Sequence, residues 1–180
     1  MKTIALALLL VSASVAEGRI VQSSMGGDLE VRNAPDGATL RTMGGDIRVG
    51  NAQGHVVAKT MGGNIHVQQL NGSLDAGTMG GNVDVDVDRG GDIEIRSMGG
   101  HIEIALPANF SGTFDVELEQ DDEGPKNEIT SDFPLQIRQT EKEYWLRPDT
   151  TVLHGTGKIG SGANRVKIST IGGDIRIRRK

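Results

Sequence analysis

Cysteine is absent, and aromatic residues are scarce: three Phe, one Tyr and one Trp in 180 residues. The missing thiols exclude a disulfide scaffold, a thiolate zinc centre and a cysteine nucleophile. The shortage of rings argues against a core anchored by large aromatics over most of the chain. A basic excess is lacking too, since the formal net charge is −5. Nucleic acid is therefore not an expected partner, because a phosphate-binding surface shows as surplus Lys and Arg. Apolar runs are short; the longest, Ile4 to Val11, falls well under the roughly 20 residues of a helical membrane span. Glycine, by contrast, is plentiful at 26 residues, about twice ordinary usage.

The first 16 residues have the form of a signal peptide. Lys2 supplies a positive start, Ile4 to Val11 the apolar stretch, and Ser14-Val15-Ala16 a small-x-small cleavage site. Cleavage after Ala16 is expected, leaving a single domain from residue 17 to 180. No Cys follows the apolar stretch, so no lipid anchor is expected, and no later segment would hold the mature chain in a membrane.

Self-similarity is the main signal in what remains. Met-Gly-Gly starts at Met25, Met43, Met61, Met79 and Met98, in steps of 18, 18, 18 and 19 residues. A sixth copy, Ile171-Gly172-Gly173, follows 73 residues later. Each copy runs on into a segment of alternating apolar and polar residues, the period of a β-strand. Laid over one another, the copies give apolar columns: Leu29, Ile47, Ile65, Val83, Ile102, Ile175, and then Val31, Val49, Val67, Val85, Ile104, Ile177. A second strand supplies Ile20, Ala38, Val56, Leu74, Ile93, Val166, with a partner column running from Gln22 through Leu40 to Ile168. A hydroxyl column follows, Ser24, Thr42, Thr60, Thr78, Ser97, Thr170. The positions between are mostly charged or polar, as in Glu30, Arg48, His66, Asp84, Glu103 and Arg176.

One such unit cannot bury its apolar side alone. Stacking units at the strand spacing of about 4.8 Å pairs every backbone with the coil above and below, and merges the small apolar faces into one core. The expected fold is all-β, a parallel β-helix or β-solenoid with coils of about 18 residues. The corners between the two strands fall at Gly26, Gly27, Gly44, Gly45, Gly62, Gly63, Gly80, Gly81, Gly99, Gly100, Gly172 and Gly173, where a sharp turn at positive φ would need glycine. The Asp or Asn after each pair suits a corner, because its side chain can bond nearby backbone. Left-handed hexapeptide helices also have 18-residue coils, but they need an apolar residue every sixth position. Counted from Ile47, that calls for Gln53 and Lys59, so a right-handed helix is expected.

From residue 105 to 155 the repeat blurs. All five aromatics lie there (Phe110, Phe114, Phe133, Tyr144 and Trp145), with every proline but Pro35. The 73-residue step suggests that this segment forms about four irregular, wider coils, followed by closing coils over 156–180, with rings plugging the core. A ligand groove around Tyr144 and Trp145, with Glu143 or Asp149 facing it, is the alternative.

The recurrent Thr-x-Gly-Gly-Asp-Ile-x-Ile resembles the adhesin-named domain-of-unknown-function family of bacterial β-strand-repeat envelope proteins. Leu106-Pro-Ala-Asn-Phe-Ser-Gly-Thr-Phe-Asp-Val-Glu-Leu118, Ser131-Asp-Phe-Pro-Leu135 and the ending from Gly155 to Ile177 are similar to that family's later landmarks. The likeness covers essentially the whole mature chain. One departure is Gly, as at Gly26, Gly44 and Gly62, where the family has Ser. The resemblance implies a right-handed single-stranded β-helix in the cell envelope or on its surface. It brings no catalytic residue with it.

No motif carries a catalytic constellation: no Gly-x-Ser-x-Gly, phosphate loop or zinc pattern occurs. The methionine ladder offers soft thioethers of the kind that bind Cu(I). Ile171 keeps only apolarity in the sixth copy, so the expected role is an adaptable filler at an apolar corner. Asp84, Asp86 and Asp88 share one strand face near Asp92, but Arg89 stands where a calcium loop needs Gly and Ile95 where it needs Glu. They are expected to be a solvated acidic face. His55, His66, His101 and His154 have no ligand spacing on one strand and are expected at the surface. No cofactor and no metal are assigned. The expected role is non-enzymatic, an exported module of the periplasm or cell surface whose partner is an envelope protein or a glycan. A glycan-binding module or carbohydrate-active enzyme built on the aromatic segment is the alternative. A monomer is expected, because Arg178, Arg179 and Lys180 discourage pairing at the last strand.

Overall fold

The computed structural model describes residues 11–16, 18–121, 124, 126–142 and 150–180. Among these there is no helix; fifteen strands form one continuous sheet. The sheet is wound into stacked coils with two walls. The first coil is β2 (Arg19–Ser24) and β3 (Leu29–Ala34). Next come β4 (Ala38–Thr42) and the long β5 (Ile47–Lys59), which rounds the far corner without a break. The strand β6 (Ile65–Thr78) rounds it in the same way, and β7 (Val83–Arg89), β8 (Ile93–Ser97) and β9 (Ile102–Leu106) follow.

Register bears out the columns. Ile20 pairs in parallel with Ala38, Ala38 with Val56, Val56 with Leu74, and Leu74 with Ile93. On the other wall the chain of partners is Leu29, Ile47, Ile65, Val83 and Ile102. From Leu29 and Ala38 onward these side chains are at most 2% exposed. A third apolar column, Ala34, Ala52, Leu70 and Val87, lines the far corner and is completely buried. The one-residue lengthening of the fourth step is absorbed at that corner, where Leu70 faces Val87 but Leu74 faces Ile93.

The interruption is built differently from its expected four wide coils. The sixth repeat copy forms β14 (Asn164–Ile171) and β15 (Ile175–Arg179), and these stack directly on β8 and β9. Val166 lies in register with Ile93, and Ile175 with Ile102. The intervening residues do not lie between coils five and six. They pass over to the far side of coil six, where β10 (Gly112–Asp121) pairs with β14 and β11 (Ile129–Ser131) with β15. Of the remaining strands, β13 (Thr150–Ile159) pairs antiparallel with β10, and β12 (Gln136–Lys142) pairs antiparallel with β13. β10 and β11 therefore continue the parallel stack by one level, whereas the antiparallel β12 and β13 are incompatible with a further coil of the same winding and form an excursion from it. The last coil slides in under that added level.

Three aromatics close the core as expected. Phe110 and Phe114 meet edge to face at 5.8 Å between centroids, and Phe114 stacks on Phe133 at 5.7 Å. All three are buried. Phe114 sits one level beyond Val166 in its column, so the trio plugs the end where the small aliphatic columns stop. At the other end β1 (Val11–Ala16) pairs antiparallel with β2.

Candidate functional site

Every repeat places an equivalent run of five residues at one corner, Ser or Thr, Met or Ile, two Gly, and Asp, Asn or His, so the solenoid carries a set of ladders there. The innermost is hydroxyl. Thr42, Thr60 and Thr78 are buried, and each donates from Oγ1 to the carbonyl of Gly27, Gly45 or Gly63 one coil below, at 3.0–3.1 Å. Each also accepts the N–H of the second glycine of its own corner, Gly45, Gly63 and Gly81, at 3.1–3.3 Å. Thr60→Val keeps the shape but leaves that N–H and that carbonyl without a partner. A loss of about 1–3 kcal/mol is expected, read as a fall in Tm of about 2–4 °C per kcal/mol. Met61→Leu beside it should melt as the unaltered protein does.

The outer ladder is formed by the residue after each glycine pair. The side chain of Asp28 accepts the N–H of Asp46, Asp46 that of Asn64, Asn64 that of Asn82, and Asn82 that of His101, all at 2.8–2.9 Å. Nδ1 of His101 then accepts the N–H of Asp174, and Asp174 that of Glu128, at 3.0 Å. The expected local corner bond is thus a bond between coils. The Asp46 amide, and then Arg48, hold the Asp28 carboxyl below the ordinary aspartate range, while the Asp28 bond raises Arg48. Because the folded pKa lies under the unfolded value of about 3.9, this contribution is complete above that value and is lost as pH falls through the folded one. Asp28→Asn, which keeps the amide bond and loses the titration, is expected to show a shallower fall of Tm below pH 4.

The reason for the glycines differs from the expected positive φ. Among the twelve corner glycines only Gly100, Gly172 and Gly173 have it. The second glycine is required by coil stacking. A Cβ on Gly45, Gly63, Gly81, Gly100 or Gly173 would lie within 3.0 Å of the carbonyl oxygen one coil below, a separation real Cβ atoms essentially never show. The first glycine is under no such demand. At Gly26, Gly44, Gly62, Gly80 and Gly99 a Cβ would meet nothing nearer than 3.9 Å.

The methionines are likewise not the packed fillers expected. They project from the corner and are half-exposed or more, from 48% at Met79 to 73% at Met25. Beside them Lys59 pairs with Asp75 and Arg96 with Glu94.

The acidic face is not simply solvated. Lys180 Nζ bridges Asp86 and Asp88, and His66 Nδ1 lies 3.2 Å from Asp84. Burial lowers the Lys180 pKa. The four histidines are placed apart: His55 bonds Ser73, His66 meets Asp84, His101 meets Asp174 and His154 meets Asp115. Among the described residues no group of three or more His, Asp or Glu side chains is placed to hold a metal ion. Glu143, Tyr144, Trp145 and Asp149, the alternative ligand groove, lie outside the described residues.

Open grooves on the walls are what sequence reasoning missed. One of about 550 Å³ is lined by His101, Glu103, Lys126, Glu128, Thr130, Asp174 and Arg176. Its residues come from three distant stretches, united only because the last coil is inserted under β11. The 73-residue step was the available signal. A second groove of about 490 Å³ is lined by His55, Ser73, Asp75, Asp92, Glu94, Arg165 and Lys167. Both mix charges of the two signs and offer peptide and hydroxyl groups beside them.

A family model described as Toastrack DUF4097 matches residues 10–178, nearly the whole chain. No curated protein and no solved structure matches it.

Proposed function

The chain belongs to the Toastrack DUF4097 family, a domain of unknown function, and from that premise we propose that it is a non-enzymatic, exported β-solenoid module of the cell envelope. Its coils wind right-handed, as parallel crossovers between strands normally do. Its task is adhesin-like: a rigid wall is held out to a polar partner, an envelope glycan or protein. The observation that carries this reading is the pair of wall grooves lined by charges of both signs. A polar, hydroxyl-rich chain is recognised by such alternating donors and acceptors, whereas an apolar ligand is not. Export is supported by the leader-like form of residues 1–16.

The three buried phenylalanines favour the scaffold over a carbohydrate-active enzyme, since none of them offers a ring to a sugar face.

Cell fractionation and co-sedimentation test the proposal together. The chain is expected in the envelope fraction with Glu17 as its N-terminus. The purified 17–180 chain is expected to sediment with envelope glycan at low ionic strength, with binding falling several-fold between about 0.05 and 0.5 M salt as exposed charges are screened. Glu103→Gln with Arg176→Gln should weaken it further. An uncut chain in the cytosol, or a chain that binds no envelope component at low salt, overturns the reading.

A further inference from the structure

Every methionine except Met1 stands at one position of the repeat. That concentration needs a reason, and the fold gives none. The five side chains are about half-exposed or more, so they fill no gap in the core. Ile171 occupies the same place in coil six at 47% exposure, so any apolar side chain is compatible with the corner. What Met has and Leu or Ile lacks is the sulfur.

The neighbouring residue points the same way. The first glycine of each corner adjoins the methionine. From Gly26 to Gly99 none lies in the left-handed region, and an added Cβ would meet nothing within 3.9 Å. Neither backbone strain nor crowding calls for glycine there. Its presence adds no side chain next to the methionines on the corner itself, while Arg41 and Lys59 line the same surface groove as Met43 and Met61.

The register then sets the separation. The corners of successive coils stack in step, as the hydroxyl bonds between them require. Equivalent atoms of adjacent coils are about 4.8 Å apart. Two metal–sulfur bonds near the zinc–thiolate length of about 2.3 Å span about 4.6 Å. A cation that accepts two soft ligands in line therefore fits between the thioethers of neighbouring coils with little movement of flexible side chains. Thioethers select soft ions such as Cu(I) and leave Mg²⁺ and Ca²⁺ to oxygen.

We infer that the ladder from Met25 to Met98 is a binding site for a soft monovalent cation, Cu(I) or its redox-stable counterpart Ag(I), bridged between sulfurs of adjacent coils. The site is independent of any partner on the walls. It has no proton to release on binding, so it keeps its affinity at a pH where imidazole is protonated.

Silver nitrate titrated into the full chain at pH 5.5 tests this, read by NMR of the methionine methyl groups. The methyl signals of the five ladder residues are expected to shift and saturate, with that of Met1 unmoved. Replacing all five by Leu keeps the apolar surface and should abolish the binding. Two further variants separate bridging from mere sulfur content, because each keeps three thioethers. M25L/M98L leaves Met43, Met61 and Met79 on consecutive coils and should bind nearly as the unaltered chain does. M43L/M79L leaves sulfurs on alternate coils, roughly 10 Å apart, and should bind at least about tenfold more weakly, about 1.4 kcal/mol. Equal affinity in these two variants, silver binding that survives the fivefold substitution, or methyl signals that do not shift would overturn the inference.

Discussion

A chain ending at Ala163 is expected not to fold. Residues 164–180, expected from the repeat to be a closing coil, form the sixth coil, with both of its strands flanked on both sides. β14 lies between β8 and β10, and β15 lies between β9 and β11. Removing them opens four strand edges at once and separates the excursion from the repeats. It also strips Val166, Ile168, Ile175 and Ile177 from the core, where none is more than 1% exposed. At about 1.5–3 kcal/mol for each buried aliphatic side chain, the apolar loss alone is about 6–12 kcal/mol. That rivals the whole stability of a typical domain, about 5–15 kcal/mol. Circular dichroism, a thermal melt and light scattering are the checks: loss of the cooperative transition and aggregation through unpaired edges are expected. A truncated chain that melts sharply near the original temperature would mean that coils one to five need no cover. The milder Ile175→Ala should lower stability by about 2–5 kcal/mol and remain foldable.

How much of this was legible beforehand depends on the distance over which residues act. The column from Leu29 to Ile102 was readable because equal spacing and β alternation force equivalent residues into register. The hydroxyl column was visible as a column, but its bonds to the coil below depend on how closely the corners approach. The column of Ala34, Ala52, Leu70 and Val87 was missed because Ala34, Ala52 and Leu70 stand three residues after Val31, Val49 and Val67, out of step with the two-residue alternation, and Val87 only two after Val85. The excursion was misread for a different reason. A step of 73 residues is arithmetically compatible with four more coils, and spacing alone cannot distinguish coils passed through from residues set aside. Only the pairing of Ile93 with Val166 and of Ile102 with Ile175 does so. The wall groove around Glu103 and Arg176 inherits that blindness, because its lining exists only once the last coil has been inserted. The corners were located correctly and explained wrongly. Glycine implied a special φ, whereas at the second glycine of the pair, from Gly45 onward, the demand is steric and comes from the adjacent coil.

That difference yields the second large prediction, a contrast between adjacent glycines. Gly81→Ala places a methyl group against the backbone carbonyl of Gly63. Neither partner is a flexible side chain, so relief requires the two coils to part at the corner. Parting them lengthens the Thr78 bonds to Gly63 and Gly81 and loosens the rung from Asn82 to Asn64. The overpacking alone costs about 1–3 kcal/mol, and each weakened buried bond adds to it. A fall in Tm of at least about 5 °C is expected at about 2–4 °C per kcal/mol. Gly80→Ala, one residue earlier, meets nothing within 4 Å. By reducing the freedom of the unfolded chain it should be neutral or stabilise by up to about 1 kcal/mol. If instead both substitutions destabilise equally, the glycine pair is there for backbone conformation and not for coil contact. If only Gly81→Ala does so, the corner is held by the approach of one coil to the next, and the first glycine is left free for a role at the surface.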